Sequence, residues 1–116
     1  MNIVKCLRTF DFVEKIEVLD FRVFEKGFYM KLEITLKDTS KVFIREYVDE
    51  AVRDYSYHWQ TEDGSLIARW DSAPHHKEVK THPHHKHYKG KVLESYSITC
   101  EDIFKEIKSI LMNKEN

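Results

Sequence analysis

Between residues 28 and 36 the chain reads Phe-Tyr-Met-Lys-Leu-Glu-Ile-Thr-Leu, with Met30, Leu32, Ile34 and Leu36 at one parity and Lys31, Glu33 and Thr35 at the other. A period of two marks a strand with one buried face, because successive side chains point to opposite sides of the pleat. The same period, less cleanly, predicts strands over 16–24, 42–47, 53–60 and 65–71. Their connections are short enough for hairpins, so an antiparallel meander of five strands is expected. Within 16–24 the alternation slips, Ile16 and Val18 giving way to Leu19, Phe21 and Val23. A bulge between Val18 and Leu19 would absorb the extra residue.

The period changes to helical at both ends. Ile3, Val4, Leu7 and Phe10 suggest a short helix over 2–10. At the other end Ile103, Phe104, Ile107, Ile110 and Leu111 form a stripe that must be buried. Thr99 and Asp102 stand where a capping box begins a helix, and Ile98 and Ile103 where a hydrophobic staple fixes its entry. The expected fold is therefore one α+β domain over residues 1–116, a five-stranded mainly antiparallel sheet packed by a C-terminal helix and a short N-terminal helix, with a frayed tail at 113–116. Strand 16–24 lies at an edge, where a homodimer would pair across a two-fold.

Composition narrows the class. Charged residues make up 34% of the chain and no apolar run nears the ~18 residues of a membrane span. The N-terminal stretch lacks the ordered zones of a signal peptide, so a cytoplasmic protein is expected. Cys6 and Cys100 are far apart in sequence and form no Cys-x-x-Cys pair; both read as small buried apolar residues rather than as a disulfide or zinc site. The net charge of -1 conceals an uneven distribution: residues 74–91 carry five lysines and one acid, Glu78. This local cation would attract phosphate.

Six of the seven histidines and both prolines lie in Ala73–His87, where Pro-His-His-Lys occurs at 74–77 and again at 83–86. Residues 72–91 follow neither period and read as a long loop, of the kind that is usually functional or disordered. If the loop folds back, His75, His76, His84, His85 and His87 converge with Lys77 and Lys86. Three chemistries compete for such a cluster. Metal-free RNA cleavage ranks first, because an imidazole near its ordinary pKa serves both as base for the 2′-hydroxyl and as acid for the leaving 5′-oxygen, with no cofactor. Second is a metal-dependent nuclease or hydrolase, suggested by His-x-His at 82/84 and 85/87; the surplus of lysines argues against a dication there. The third gives the histidines no chemistry: they are solvated or structural, in a non-enzymatic module whose sheet binds nucleic acid or a protein partner.

Two strands add candidates. In 53–60, Tyr55, Tyr57 and Trp59 share the face expected to be core, and His58 lies on the other as a further proton-transfer or hydrogen-bonding group. In 65–71, Arg69 and Asp71 share a face at the point where the strand enters the loop. Arg69 reads as a phosphate clamp and Asp71 as a group that orients an imidazole. The catalytic candidates are thus His58, His75, His76, His84, His85, Lys86 and His87, with Arg69, Asp71, Lys77 and Lys80 holding or guiding substrate.

The succession Tyr-Ser-Tyr-His-Trp-Gln (55–60), Ala-Arg-Trp-Asp-Ser-Ala-Pro-His-His (68–76) and His-Pro-His-His-Lys-His (82–87) resembles the TumE-like toxins of type II toxin–antitoxin systems, over about Ile16 to Leu111. Ser72 departs from the asparagine expected after the aspartate, and His82 from the expected apolar residue, which removes His82 from the candidates. The resemblance implies a toxin whose partner is a helix-turn-helix antitoxin, and it suggests an RNA target.

Overall fold

The computed structural model describes residues 2–114. Its elements, in chain order, are α1 (Asn2–Arg8), β1 (Val13–Phe24), β2 (Gly27–Leu36), β3 (Lys41–Val48), β4 (Arg53–Gln60), β5 (Leu66–Asp71), β6 (His85–Tyr88), β7 (Lys91–Glu94) and α2 (Cys100–Lys114). All the strands form one antiparallel sheet in sequential order, a meander from β1 to β7. The expected architecture holds, but the sheet has seven strands, not five. Of the tail expected at 113–116, residues 113 and 114 belong to α2, and 115 and 116 lie outside the described residues.

The two extra strands come from the segment read as loop. His85-Lys86-His87-Tyr88 carries no apolar alternation, so a hydrophobic period cannot reveal it. Its ladder partner is β5, with Asp71 opposite His85 and Arg69 opposite His87. The turn to β7 does have a sequence signal: Lys89 and Gly90 both take positive φ, 51° and 75°, the backbone of a two-residue hairpin that matches right-handed strand twist. At the other edge β1 begins at Val13, and its pairing with β2 slips between Val18 and Asp20, where the sequence predicts a bulge, and again between Val13 and Lys15.

The parity read from the sequence divides the sheet into two unlike faces. On one, Leu32, Ile34, Leu36, Val42, Ile44, Tyr57, Trp59, Ala68 and Trp70 are essentially inaccessible and meet Leu7 of α1 and Ile103, Phe104 and Ile107 of α2. Each large aliphatic or aromatic side chain so buried contributes about 1.5–3 kcal/mol, which is what holds the helices on the sheet. The Thr99–Asp102 capping box forms: the Asp102 N–H donates to Thr99 Oγ1 (3.2 Å) and the Thr99 N–H to Asp102 Oδ2 (3.1 Å). Cys100 is buried as expected, whereas Cys6 is only partly so. No helix among the described residues is long and apolar enough to cross a membrane.

The other face has no helix. At the β1 edge it carries Phe24, 40% exposed, whose ring stacks on Tyr47 of β3. Toward β5 and β6 it carries most of the polar residues singled out above.

Candidate functional site

The ladder between β5 and β6 is what assembles the site. Because Arg69 pairs with His87 and Asp71 with His85, these four side chains share the open face, while Trp70 and Lys86 between them share the core face. Residues 72–84 then fold back over the end of β5. Val79 is buried under this loop, and the His82 N–H donates to the Val79 carbonyl (3.0 Å). Thr81 pins the loop both to the start of β6 and to the end of β7, its Oγ1 donating to the His84 carbonyl (2.7 Å) and accepting from the Ser95 N–H (2.9 Å). The fold-back brings His76 onto His85 and His87.

The three imidazoles form a compact triangle. Ring centroids are 4.9 Å apart for His76–His85 and for His85–His87, and 5.3 Å for His76–His87. One ring nitrogen from each lies within 4.8 Å of the other two. His85, 2% exposed, donates from Nδ1 to the Pro83 carbonyl (2.8 Å) and has Nε2 3.0 Å from Asp71 Oδ1. His76 donates from Nδ1 to Glu78 Oε1 (3.0 Å). His87 Nε2 faces Asp71 Oδ2 at 3.9 Å.

Asp71 is the hub. Its buried carboxylate accepts from Arg69 Nε (2.9 Å) and from the Ala73 N–H (2.9 Å) as well as facing the two imidazoles. Arg69 in turn donates from Nη1 to His58 Nδ1 (3.1 Å), so the guanidinium is held from both sides. Burial, then the charge of His85, pushes the His87 pKa below its usual value, with Asp71 opposing. Burial and the Arg69 charge do the same at His58. Both rings are therefore neutral near pH 7; the His58 Nδ1 lone pair is taken by Arg69, and that of His87 is left for a proton or a metal ion. At Glu78, its own backbone N–H and the His76 ring hold the carboxyl pKa down.

Not every candidate reaches this cluster. His76, His85, His87, Arg69 and Asp71 are together, and His58 adjoins them through Arg69. His75 is exposed and turned away, and Lys77 and Lys80 are exposed on the loop. His84 precedes β6 with core-face parity and stacks on Tyr55, whose hydroxyl lies 2.9 Å from His84 Nδ1. Lys86 is on the core face, paired with Glu106 Oε1 (2.8 Å) and lying over the Trp70 and Tyr88 rings. A phosphate on the open face is beyond its reach.

Three open-face residues escaped the sequence reading. Tyr29, Arg45 and Tyr47 line, with Arg69 and Asp71, a cavity of about 490 Å³ beside the cluster. Tyr29 and Tyr47 are directly opposite in the β2–β3 ladder. Arg45 is exposed and makes no ion pair among the described residues. The signal was present: the parity that places Lys31 on the polar face places Tyr29 there too, and an aromatic on a polar face is the exception that points to binding.

These features define a class: a small α+β protein whose helices cover one face of an antiparallel meander, leaving the other as a histidine-centred, arginine-bearing surface. The match of the family model described as Toxin TumE to residues 3–111, nearly the whole chain, completes the assignment, and the chain belongs to that toxin family. Membership implies the toxin half of a toxin–antitoxin pair. No curated protein and no solved structure matches the chain.

Proposed function

We propose that this toxin cuts RNA at the open-face histidine cluster without a metal ion. The observation that carries the reading is the convergence of His76 and His85, one from each Pro-His-His-Lys copy, with His87 beside the Arg69–Asp71 pair. In the reaction a ribose 2′-oxygen attacks the adjacent phosphorus while the bond from phosphorus to the 5′-oxygen breaks, giving a 2′,3′-cyclic phosphate and a free 5′-hydroxyl. His87, neutral and about one-quarter exposed, takes the 2′-hydroxyl proton. His76, also partly exposed and held at Nδ1 by Glu78, gives a proton to the 5′-oxygen. Arg69 stabilises the charge on the phosphoryl oxygens. His85 is too deeply buried to exchange protons with substrate and acts as the wall that positions the other two.

Arg45, Tyr29 and Tyr47 extend this surface in a way that suits single-stranded RNA, the arginine for a phosphate and the tyrosines for stacked bases. Lys77 and Lys80 on the loop add attraction at longer range. A helix-turn-helix antitoxin is the proposed partner and the cytoplasm the proposed location. The test is cleavage of RNA by purified toxin in excess chelator, with His76→Ala and His87→Ala. Each positioned acid or base is worth roughly 10²–10⁴ in rate, so each variant should lose that factor together with growth inhibition. Undiminished growth inhibition by both variants would leave only a non-enzymatic toxin that binds its target.

A further inference from the structure

The same three imidazoles are built for a second ligand. We infer that His76, His85 and His87, closed by Asp71, capture a single zinc-like transition-metal ion, and that this ion switches the site off.

The hydrogen bonds behind the cluster carry the inference. Histidines that bind metals commonly donate their second ring nitrogen to a carboxylate or a backbone carbonyl, which fixes the tautomer and aims the free nitrogen at the ion. His76 Nδ1 is so engaged by Glu78 (3.0 Å) and His85 Nδ1 by the Pro83 carbonyl (2.8 Å). Nitrogens around a tetrahedral ion with bonds of about 2.05 Å stand about 3.3 Å apart. The separations here, all within 4.8 Å, close to that by small ring rotations. The surplus of lysines in the sequence offers no obstacle, because Lys86 is committed to Glu106 on the far face while the acids Asp71 and Glu78 stand against the imidazoles.

The ligand count decides between activation and silencing. Catalytic zinc keeps three protein ligands and an open position, whereas a fourth protein ligand closes the shell. Asp71 Oδ1, 3.0 Å from His85 Nε2, is the fourth donor, and its other oxygen stays with Arg69. An ion held this way occupies the His76 and His87 lone pairs that proton transfer needs and leaves no position for a phosphoryl oxygen. This inhibitory role rests on the RNA-cleavage reading; the binding itself does not.

Titration of the metal-stripped, full-length toxin with Co²⁺ tests the binding without RNA. The result expected is a one-to-one visible spectrum of tetrahedral type, reversed by Zn²⁺, together with a rise in thermal midpoint. Both are absent in His76→Ala and in His87→Ala, which change partly exposed rings and spare the buried His85. The exposed second-layer variant Glu78→Gln weakens binding by about 10–100-fold, while His75→Ala changes nothing. Absence of saturable one-to-one binding overturns the metal site and leaves RNA cleavage standing if the stripped toxin cuts. Cleavage abolished by chelator and restored by Zn²⁺ overturns the inhibitory role in favour of a catalytic ion. Loss of cleavage on adding stoichiometric Zn²⁺ supports the whole proposal, and a bound ion in a toxin that never cuts RNA keeps the site and removes the reaction.

Discussion

Asp71→Asn is the substitution that asks most of the structure. The side chain is 4% exposed as a residue and meets Arg69 Nε, the Ala73 N–H and His85 Nε2 at 2.9–3.0 Å. Asparagine keeps the shape and one acceptor oxygen, so the Ala73 contact survives, but its amide donors then face a guanidinium or an imidazole. One charge-assisted hydrogen bond, about 1.5–3 kcal/mol, is lost to Arg69. The lower end applies, because the arginine side chain is 35% exposed and water replaces part of the bond. Loss of the carboxylate beside the buried His85 adds about 1–2 kcal/mol. The expected destabilisation is thus about 2–4 kcal/mol, a fall of about 1–2 M in the urea midpoint for a slope near 2 kcal/mol/M. Tryptophan fluorescence is the natural probe, since Trp70 adjoins Asp71 and both tryptophans are fully buried. Arg69→Gln should cost less, and the double variant less than the sum, as residues of one network couple. An Asp71→Asn midpoint within about 0.3 M of wild type at unchanged slope, well below the destabilisation expected from losing such a bond, would refute the hub.

Other consequences are simpler to check. In the duplicated motif His76→Ala should abolish growth inhibition and His75→Ala leave it intact, a contrast read in one plating assay. Arg45→Ala should weaken RNA binding and lower the log–log salt slope by about one, and Tyr47→Ala should cost about 1–3 kcal/mol of affinity, both measurable by fluorescence anisotropy. Burial raises the Tyr55 hydroxyl to about 12 and also raises Tyr57 and Cys100. Groups held protonated in the fold stabilise it below their unfolded pKa and lose that contribution as pH climbs toward the folded value. Stability measured by urea unfolding should therefore be level near neutrality and fall from about pH 9–10 upward, Tyr55 alone accounting for about 2–3 kcal/mol by pH 12.

The sheet was readable wherever burial is one-sided. Met30, Leu32, Ile34 and Leu36 alternate strictly in the sequence and are all buried in the fold, because the helices cover that face alone. The α2 cap was readable because Thr99 and Asp102 are local partners. β6 was not: its alternation is imidazole against ammonium and phenol, a difference of chemistry rather than hydropathy, and only the Lys89-Gly90 turn marks it. That one missed strand accounts for most of the misplaced site residues. Once 85–88 is a strand, parity alone puts His85 and His87 with Arg69 and Asp71, and sends His84 and Lys86 to the core face. The meeting of His76 with them depends on the loop fold-back, a non-local event that no period encodes.

The repeated Pro-His-His-Lys finds its explanation in that parity. In both copies the second histidine turns into the cluster and the first turns out: His75 to solvent, His84 against Tyr55. The two inward rings are not equivalent, however. His85 stands on a ladder residue opposite Asp71, so its position is set by the sheet, whereas His76 belongs to the returning loop and is held by Glu78 and by its neighbours in the triangle. One copy thus supplies the rigid half of the site and the other the half that can shift. A site made only from β5 and β6 would be fixed but shallow, with His87 as its one accessible imidazole. The loop adds a second proton-bearing ring on the opposite side of the substrate position, and in doing so makes the site's completeness depend on the order of 72–84, the segment that any ligand bridging His76 to His85 and His87 would lock.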